Sequence, residues 1–169
     1  MKDIGIFYGS SSGKTETVAT QIYKKLGSET ASIRNVADTD LVEMMNYSHL
    51  IVGIPTWGIG ELQDDWFMAL PQLEELDLTG KTVAIFGLGD QESYPDTFVD
   101  AMGRLFDALE DTGCRHVGSW STLGYDFEES LALRGGDFVG LVLDCENQEE
   151  MTEMRINEWL KALNLNQFS

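Results

Sequence analysis

Positive charge is what this sequence has least of: 11 lysines and arginines stand against 29 aspartates and glutamates, a formal −18 with a pI near 4.2. Such a surface repels phosphate backbones and anionic lipid headgroups, which excludes nucleic acid and membrane surfaces as partners and makes basic protein surfaces the expected ones. Histidine is scarce, His49 and His116 being too few for a metal cluster, and no metal site is expected. Cysteine is scarce too. Cys114 and Cys145 lie 31 positions apart, each in an apolar context, and are expected to be a reduced pair in the core, not a disulfide or metal site. Long apolar runs are missing, none approaching the roughly 18–20 residues of a membrane span. Met1-Lys2-Asp3 leads straight into a strand-like segment instead of a signal-peptide core, so a cytoplasmic location is expected. Without a secretory signal, the sequon Asn46-Tyr47-Ser48 has no role. What is present, 43% hydrophobic residues in 169, suits one core and a single domain over residues 1–169.

Four apolar runs stand out: Ile4 to Tyr8, Leu50 to Ile54, Val83 to Gly87 and Phe138 to Leu143. They do not alternate, which marks strands covered on both faces in a parallel sheet. Thr30 to Arg34 is more polar and is expected at an edge. Between the strands, helical spacing recurs at Val18, Ile22 and Leu26; at Trp66, Leu70 and Leu73; at Phe98, Met102, Leu105, Phe106 and Leu109; and at Ile156, Trp159, Leu160 and Leu163. A shorter helix is expected from Thr39 to Met45. Glu149, Glu150 and Glu153 sit where the last helix starts and complement its dipole. The alternation predicts a doubly wound α/β fold with a five-stranded parallel sheet. One stretch breaks it. Residues 119–137, rich in aromatics but without periodicity, are expected as an insertion in the form of a packed loop that interrupts strand five after His116-Val117-Gly118.

In an open parallel sheet the ligand belongs at the carboxyl ends of the strands. After strand one, Gly9-Ser10-Ser11-Ser12-Gly13-Lys14-Thr15 presents hydroxyls and backbone N–H groups at a helix start, a setting for a phosphate dianion. It is not a nucleoside-triphosphate loop: Gly9 and Gly13 enclose three residues where four are needed, and Tyr8 stands where the glycine belongs. The dinucleotide fingerprint is also absent here, which leaves a monophosphate. After strand three, Pro55-Thr56-Trp57-Gly58-Ile59-Gly60 sets an indole among turn residues. After strand four, Leu88-Gly89-Asp90-Gln91-Glu92-Ser93-Tyr94 adds a second aromatic. Two such rings can sandwich a planar group, each gaining on the order of 1 kcal/mol beyond area burial. A phosphate with an aromatic slot beyond it describes a flavin mononucleotide (FMN) site. No nucleophile is paired with a histidine in these loops, so no catalytic residue is expected.

With these three loops in order, the whole chain resembles the long-chain flavodoxins. The stretch Gly124-Tyr125-Asp126-Phe127 resembles the insertion that separates them from the short-chain members. The resemblance implies strand order 2-1-3-4-5 and a low-potential one-electron carrier that transforms no substrate. It implies noncovalent FMN held by Ser10, Ser11, Ser12, Gly13, Lys14, Thr15, Thr56, Trp57, Gly58, Gly60, Leu88, Gly89, Asp90, Tyr94 and Glu146. Trp57 and Tyr94 would flank the ring, Thr56 and the serine loop the phosphate, and the Asp90 backbone the pyrimidine end. Partners implied are a flavodoxin reductase and acceptor proteins, met by a monomer. Two departures from the family pattern bear on redox tuning: Gly58, in the turn facing flavin N5, and Cys145-Glu146 in place of an acidic pair. The alternative is an FMN-dependent quinone reductase, which would need a substrate pocket over the flavin. A signalling receiver domain is excluded by Phe7-Tyr8-Gly9 and Ile54-Pro55-Thr56, which lack its acids.

Charge is uneven along the chain. Between Arg34 and Arg104, Lys81 is the one lysine or arginine, against thirteen acids that include Glu61, Asp64, Asp65, Asp90, Glu92 and Asp96. The flavin edge is therefore expected in a negative field that keeps the potential low and steers basic partners.

Overall fold

The computed structural model describes residues 3–167; Met1, Lys2 and residues 168 and 169 of the expected domain lie outside the described residues. In chain order the main elements are β1 (Ile4–Tyr8), α1 (Lys14–Leu26), β2 (Ala31–Asn35), β3 (His49–Trp57), β4 (Glu61–Leu62), α2 (Asp64–Glu75), β5 (Thr82–Leu88), α3 (Asp100–Glu110), β6 (Arg115–Val117), β7 (Leu133–Arg134), β8 (Asp137–Phe138), β9 (Leu141–Leu143) and α4 (Thr152–Gln167). The strands β2-β1-β3-β5 run parallel, with β2 at the edge. The fifth position is filled twice: β6 pairs with Thr82 to Ala84 of β5, and β9 with Phe86 to Leu88. This is the doubly wound, flavodoxin-like sheet with strand five interrupted.

Successive strand residues feed opposite layers, as the pleat requires. Ile4, Ile6, Ile51, Ala84, Phe86 and Leu141 pack under Val18 and Ile22 of α1 and Ile156, Trp159 and Leu163 of α4. Phe7, Val52, Val83, Ile85 and Val142 pack under Trp66 and Leu73 of α2 and Met102, Leu105 and Leu109 of α3. Burial on both faces is why β1 and β5 carry unbroken apolar runs.

Three expectations are corrected. The helix expected from Thr39 to Met45 is instead two 3₁₀ turns, Val36–Asp38 and Leu41–Asn46. Asn35 and Asp40 each accept a backbone N–H two residues ahead, at 2.9 and 3.0 Å, so the chain restarts twice before a longer helix can propagate. The run from Phe138 to Leu143 is not one strand. Phe138 pairs with Leu133 and bridges to Trp120, and only Leu141–Leu143 join the main sheet. The break falls at Gly140, where a Cβ would lie 2.0 Å from the Ile85 carbonyl oxygen. Finally, the insertion contains regular structure, the β7–β8 hairpin. It packs Tyr125 and Phe127 around Phe98 and Phe138. Burial pushes the Tyr125 phenol up to about 12, against the lowering effect of Arg155 over its ring and the Trp120 indole N–H at its oxygen.

Candidate functional site

A cavity opens at the carboxyl ends of β1, β3, β5 and β9, lined by Ser12, Lys14, Thr15, Pro55, Thr56, Trp57, Gly58, Leu88, Gly89, Asp90, Tyr94, Cys145 and Glu146. At one end lies the start of α1. Gly13, in the left-handed region at φ 91°, leads into the helix, and among the described residues no side chain caps it. The first-turn N–H groups are thus left for an anion, and buried Thr15 stands among them. The expected phosphate residues divide. Ser12, Lys14 and Thr15 reach the cavity, while Ser10 and Ser11 frame it. The Ser10 hydroxyl accepts the Gly13 N–H at 3.1 Å, and the Ser11 hydroxyl accepts from the buried Gln63 amide at 3.0 Å. Lys14 forms an ion pair with Glu146, so its cation is already matched at the cavity edge.

The aromatic walls come from two loops. After the parallel part of β3 the chain folds back, pairing Thr56 with Leu62 and Trp57 with Glu61, so β3 and β4 form a hairpin. Gly58 and Gly60 make the turn at φ 47° and 90°, a region that only glycine enters without strain. Trp57 is thereby held 40% exposed on one side of the cavity, and Tyr94, from the loop after β5, is also 40% exposed on its wall. Trp66, by contrast, is fully buried and donates its indole N–H to the Gly53 carbonyl at 2.9 Å. Gly60 lies outside the cavity; its carbonyl accepts the Arg104 Nε–H at 3.1 Å, and a Cβ there would meet Asp100 at 2.9 Å. Thr56 lines the cavity, but its hydroxyl oxygen also accepts the Ala101 N–H at 3.0 Å at the start of α3. That second role was not legible from the loop motif.

The remaining wall pairs Asp90 with Cys145 and Glu146. Burial tends to raise the Asp90 carboxyl, but the Ser93 N–H at 2.9 Å and the Asn147 amide at 2.8 Å outweigh it and hold the group below the ordinary carboxylate value. Cys145 is a free thiol, half-buried in the wall and not in the core, and burial pushes it up. Pro55 and Cys145 line the cavity although neither was named as holding the flavin; Pro55 sits inside the predicted loop, and Cys145 was singled out with Glu146 as a departure from the family pattern. Of the acids expected near the flavin edge, Asp90 lines the cavity, and so does Glu146, expected as a flavin-binding residue. Glu61 and Asp64 line a separate groove with Phe67 and Arg104. Among the described residues no cluster of three or more His, Cys, Asp or Glu is placed to hold a metal.

An open slot with hydroxyls and free helix N–H groups at one end and two half-exposed rings along its sides fits a phosphorylated planar ring. Comparison with known proteins points the same way. The flavodoxin family model matches residues 6–159. A flavodoxin of Synechocystis sp. is 46% identical over 96% of both chains. One of Haemophilus influenzae is 47% identical over 96% of this chain and 94% of its own. The crystal structure of Fusobacterium nucleatum flavodoxin bound to flavin mononucleotide superposes with a TM-score of 0.93 at 36% identity, with complete coverage of both chains.

Proposed function

The chain belongs to the flavodoxin family, and on that premise we propose that it carries single electrons between proteins on a noncovalently bound FMN seated in the cavity described above. The observation that carries this reading is the conjunction of an uncapped, hydroxyl-rich start of α1 with two half-exposed aromatic rings in one slot. FMN supplies the one-electron chemistry; the chain supplies the binding, the field and the docking surface. Ser12, Thr15 and the N–H groups of the first turn receive the phosphate. Trp57 and Tyr94 flank the ring, and Leu88, Gly89 and Asp90 meet its pyrimidine end. Lys14 acts through its pair with Glu146, and Ser10, Ser11 and Gly13 hold the loop in shape. Asp90 contributes to the negative field that keeps the potential low, while the charge of Glu146 is matched by Lys14. Partners are redox proteins; we propose that their docking surfaces are basic, that this chain meets them as a monomer, and that it works in the cytoplasm. Among the described residues no helix is long and apolar enough to cross a membrane. The quinone reductase alternative is not favoured, since the relatives carry the name of a carrier family.

Titration of the apoprotein with FMN and with riboflavin tests the reading. FMN is expected to bind one to one with quenched fluorescence, and riboflavin much more weakly. No binding of FMN, or equal affinity for both, would overturn the proposed orientation of the site.

A further inference from the structure

Asp144, immediately after β9, is fully buried, and its two carboxylate oxygens accept five hydrogen bonds. Oδ1 accepts the backbone N–H groups of Glu146 and Asn147 at 3.1 and 3.0 Å, an ordinary local turn. Oδ2 does more. It accepts the Asn147 side-chain amide at 2.9 Å, and from 53 positions back the Gln91 backbone N–H at 3.0 Å and side-chain amide at 2.8 Å. The other hydrogen of the Asn147 amide goes to Asp90 Oδ1 at 2.8 Å. Every donor belongs to one of two loops: the one after β5, which carries Asp90 and Tyr94 to the cavity, and the one after β9, which carries Cys145 and Glu146.

We propose that Asp144 is a positioning residue that sets the separation of these two loops and thereby the width of the slot that takes the flavin ring. It acts through Gln91 and Asn147 and does not line the cavity. The proposal rests on the FMN reading above. The physical reason is donor counting: only an acceptor-only group satisfies N–H donors converging on both oxygens. An asparagine at 144 has a single acceptor oxygen. Facing Gln91, it turns its NH₂ onto the N–H groups of Glu146 and Asn147; flipped, it turns the NH₂ onto Gln91. Either way one loop loses its tie.

The test titrates apoprotein with FMN and riboflavin, following flavin fluorescence and the visible circular dichroism of the bound ring. Asp144→Asn is expected to weaken both flavins by the same factor, roughly tenfold or more, because the ring slot and not the phosphate end is changed. It is also expected to alter the dichroism of the bound ring. Gln91→Glu, which keeps the acceptor for the Asp126 N–H but sets a carboxylate against Asp144, is expected to do the same. Leu163→Ala, remote in the α4 layer, is the control: it lowers stability and leaves both affinities unchanged. Unchanged affinities in the two loop variants, a loss confined to FMN, or an equal loss in Leu163→Ala would overturn the proposal. If Asp144→Asn fails to fold, Gln91→Glu decides by the same criteria. Wild-type apoprotein that binds neither flavin would refute the FMN reading itself, whereas wild-type binding with unaltered variants would refute only the positioning role.

Discussion

At the phosphate end of the cavity, side chains differ in what they are already bonded to more than in charge. Lys14 is the one cation in the lining, yet it is paired with Glu146, while buried Thr15 presents its hydroxyl beside the helix start. Hydrogen bonds to a charged group are worth about 1.5–3 kcal/mol each. Thr15→Val and Ser12→Ala are therefore expected to weaken FMN binding more than Lys14→Ala does, and titration of the apoprotein would expose the opposite ranking. Gly58 is a second residue-scale case. At φ 47° with open space around it, a methyl group meets no neighbour and the cost is backbone strain alone. Gly58→Ala is expected to lower apoprotein stability by about 1 kcal/mol in urea unfolding; a stability equal to wild type would show that the turn relaxes.

At the scale of an element, α3 illustrates how a helix start is joined to both the cavity and the insertion. Thr56 caps the Ala101 N–H from the β3 side, and Asp100 accepts the Leu131 N–H at 2.8 Å from the insertion side. Burial raises the Asp100 carboxyl above its ordinary value and outweighs the opposing effects of that N–H and of Arg104. A carboxyl raised on folding contributes stability that is full below its unfolded value and is lost as pH climbs through the folded one. Asp100→Asn keeps an acceptor for Leu131 without the buried charge. The variant is expected to gain stability relative to wild type as pH rises through the carboxylate range toward neutrality. Urea midpoints compared across pH check this, and a gap that is constant or of the opposite slope would refute it.

Over the whole molecule the net −18 acts as a field. A bland reading is solubility alone. The structure gathers Glu61 and Asp64 into one groove beside Phe67, next to the hairpin that carries Trp57, which makes a docking role testable. Asp65 is best left intact, because its carboxylate accepts from the Gln63 amide at 2.7 Å and so supports the Ser11 contact. Electron transfer to a cationic redox protein is expected to slow as salt shortens the Debye length from ~10 Å at 0.1 M to ~3 Å at 1 M. Glu61→Gln with Asp64→Asn is expected to flatten that dependence. Identical salt responses in wild type and variant would move the docking site elsewhere while leaving the cofactor assignment intact.

Sequence alone determined the layers, because burial on both faces demands unbroken apolar runs in β1, β3 and β5 and helical spacing between them. It also determined the chemistry of three loops, since hydroxyls, glycines and stray aromatics in turns have few other uses. Tertiary structure decided what depends on contacts between distant segments. The strand expected through Val139 and Gly140 broke because the backbone there crosses against Ile85. Ser10 and Ser11 lie outside the cavity lining, and their oxygens brace the loop by accepting from Gly13 and from Gln63, 52 residues beyond Ser11. Asp144 became a tie between two loops because Gln91, 53 residues earlier, brings two donors to it. Periodicity and local spacing are one-dimensional signals, whereas the pairing of a donor with an acceptor is fixed only once the sheet has set its strand ends side by side.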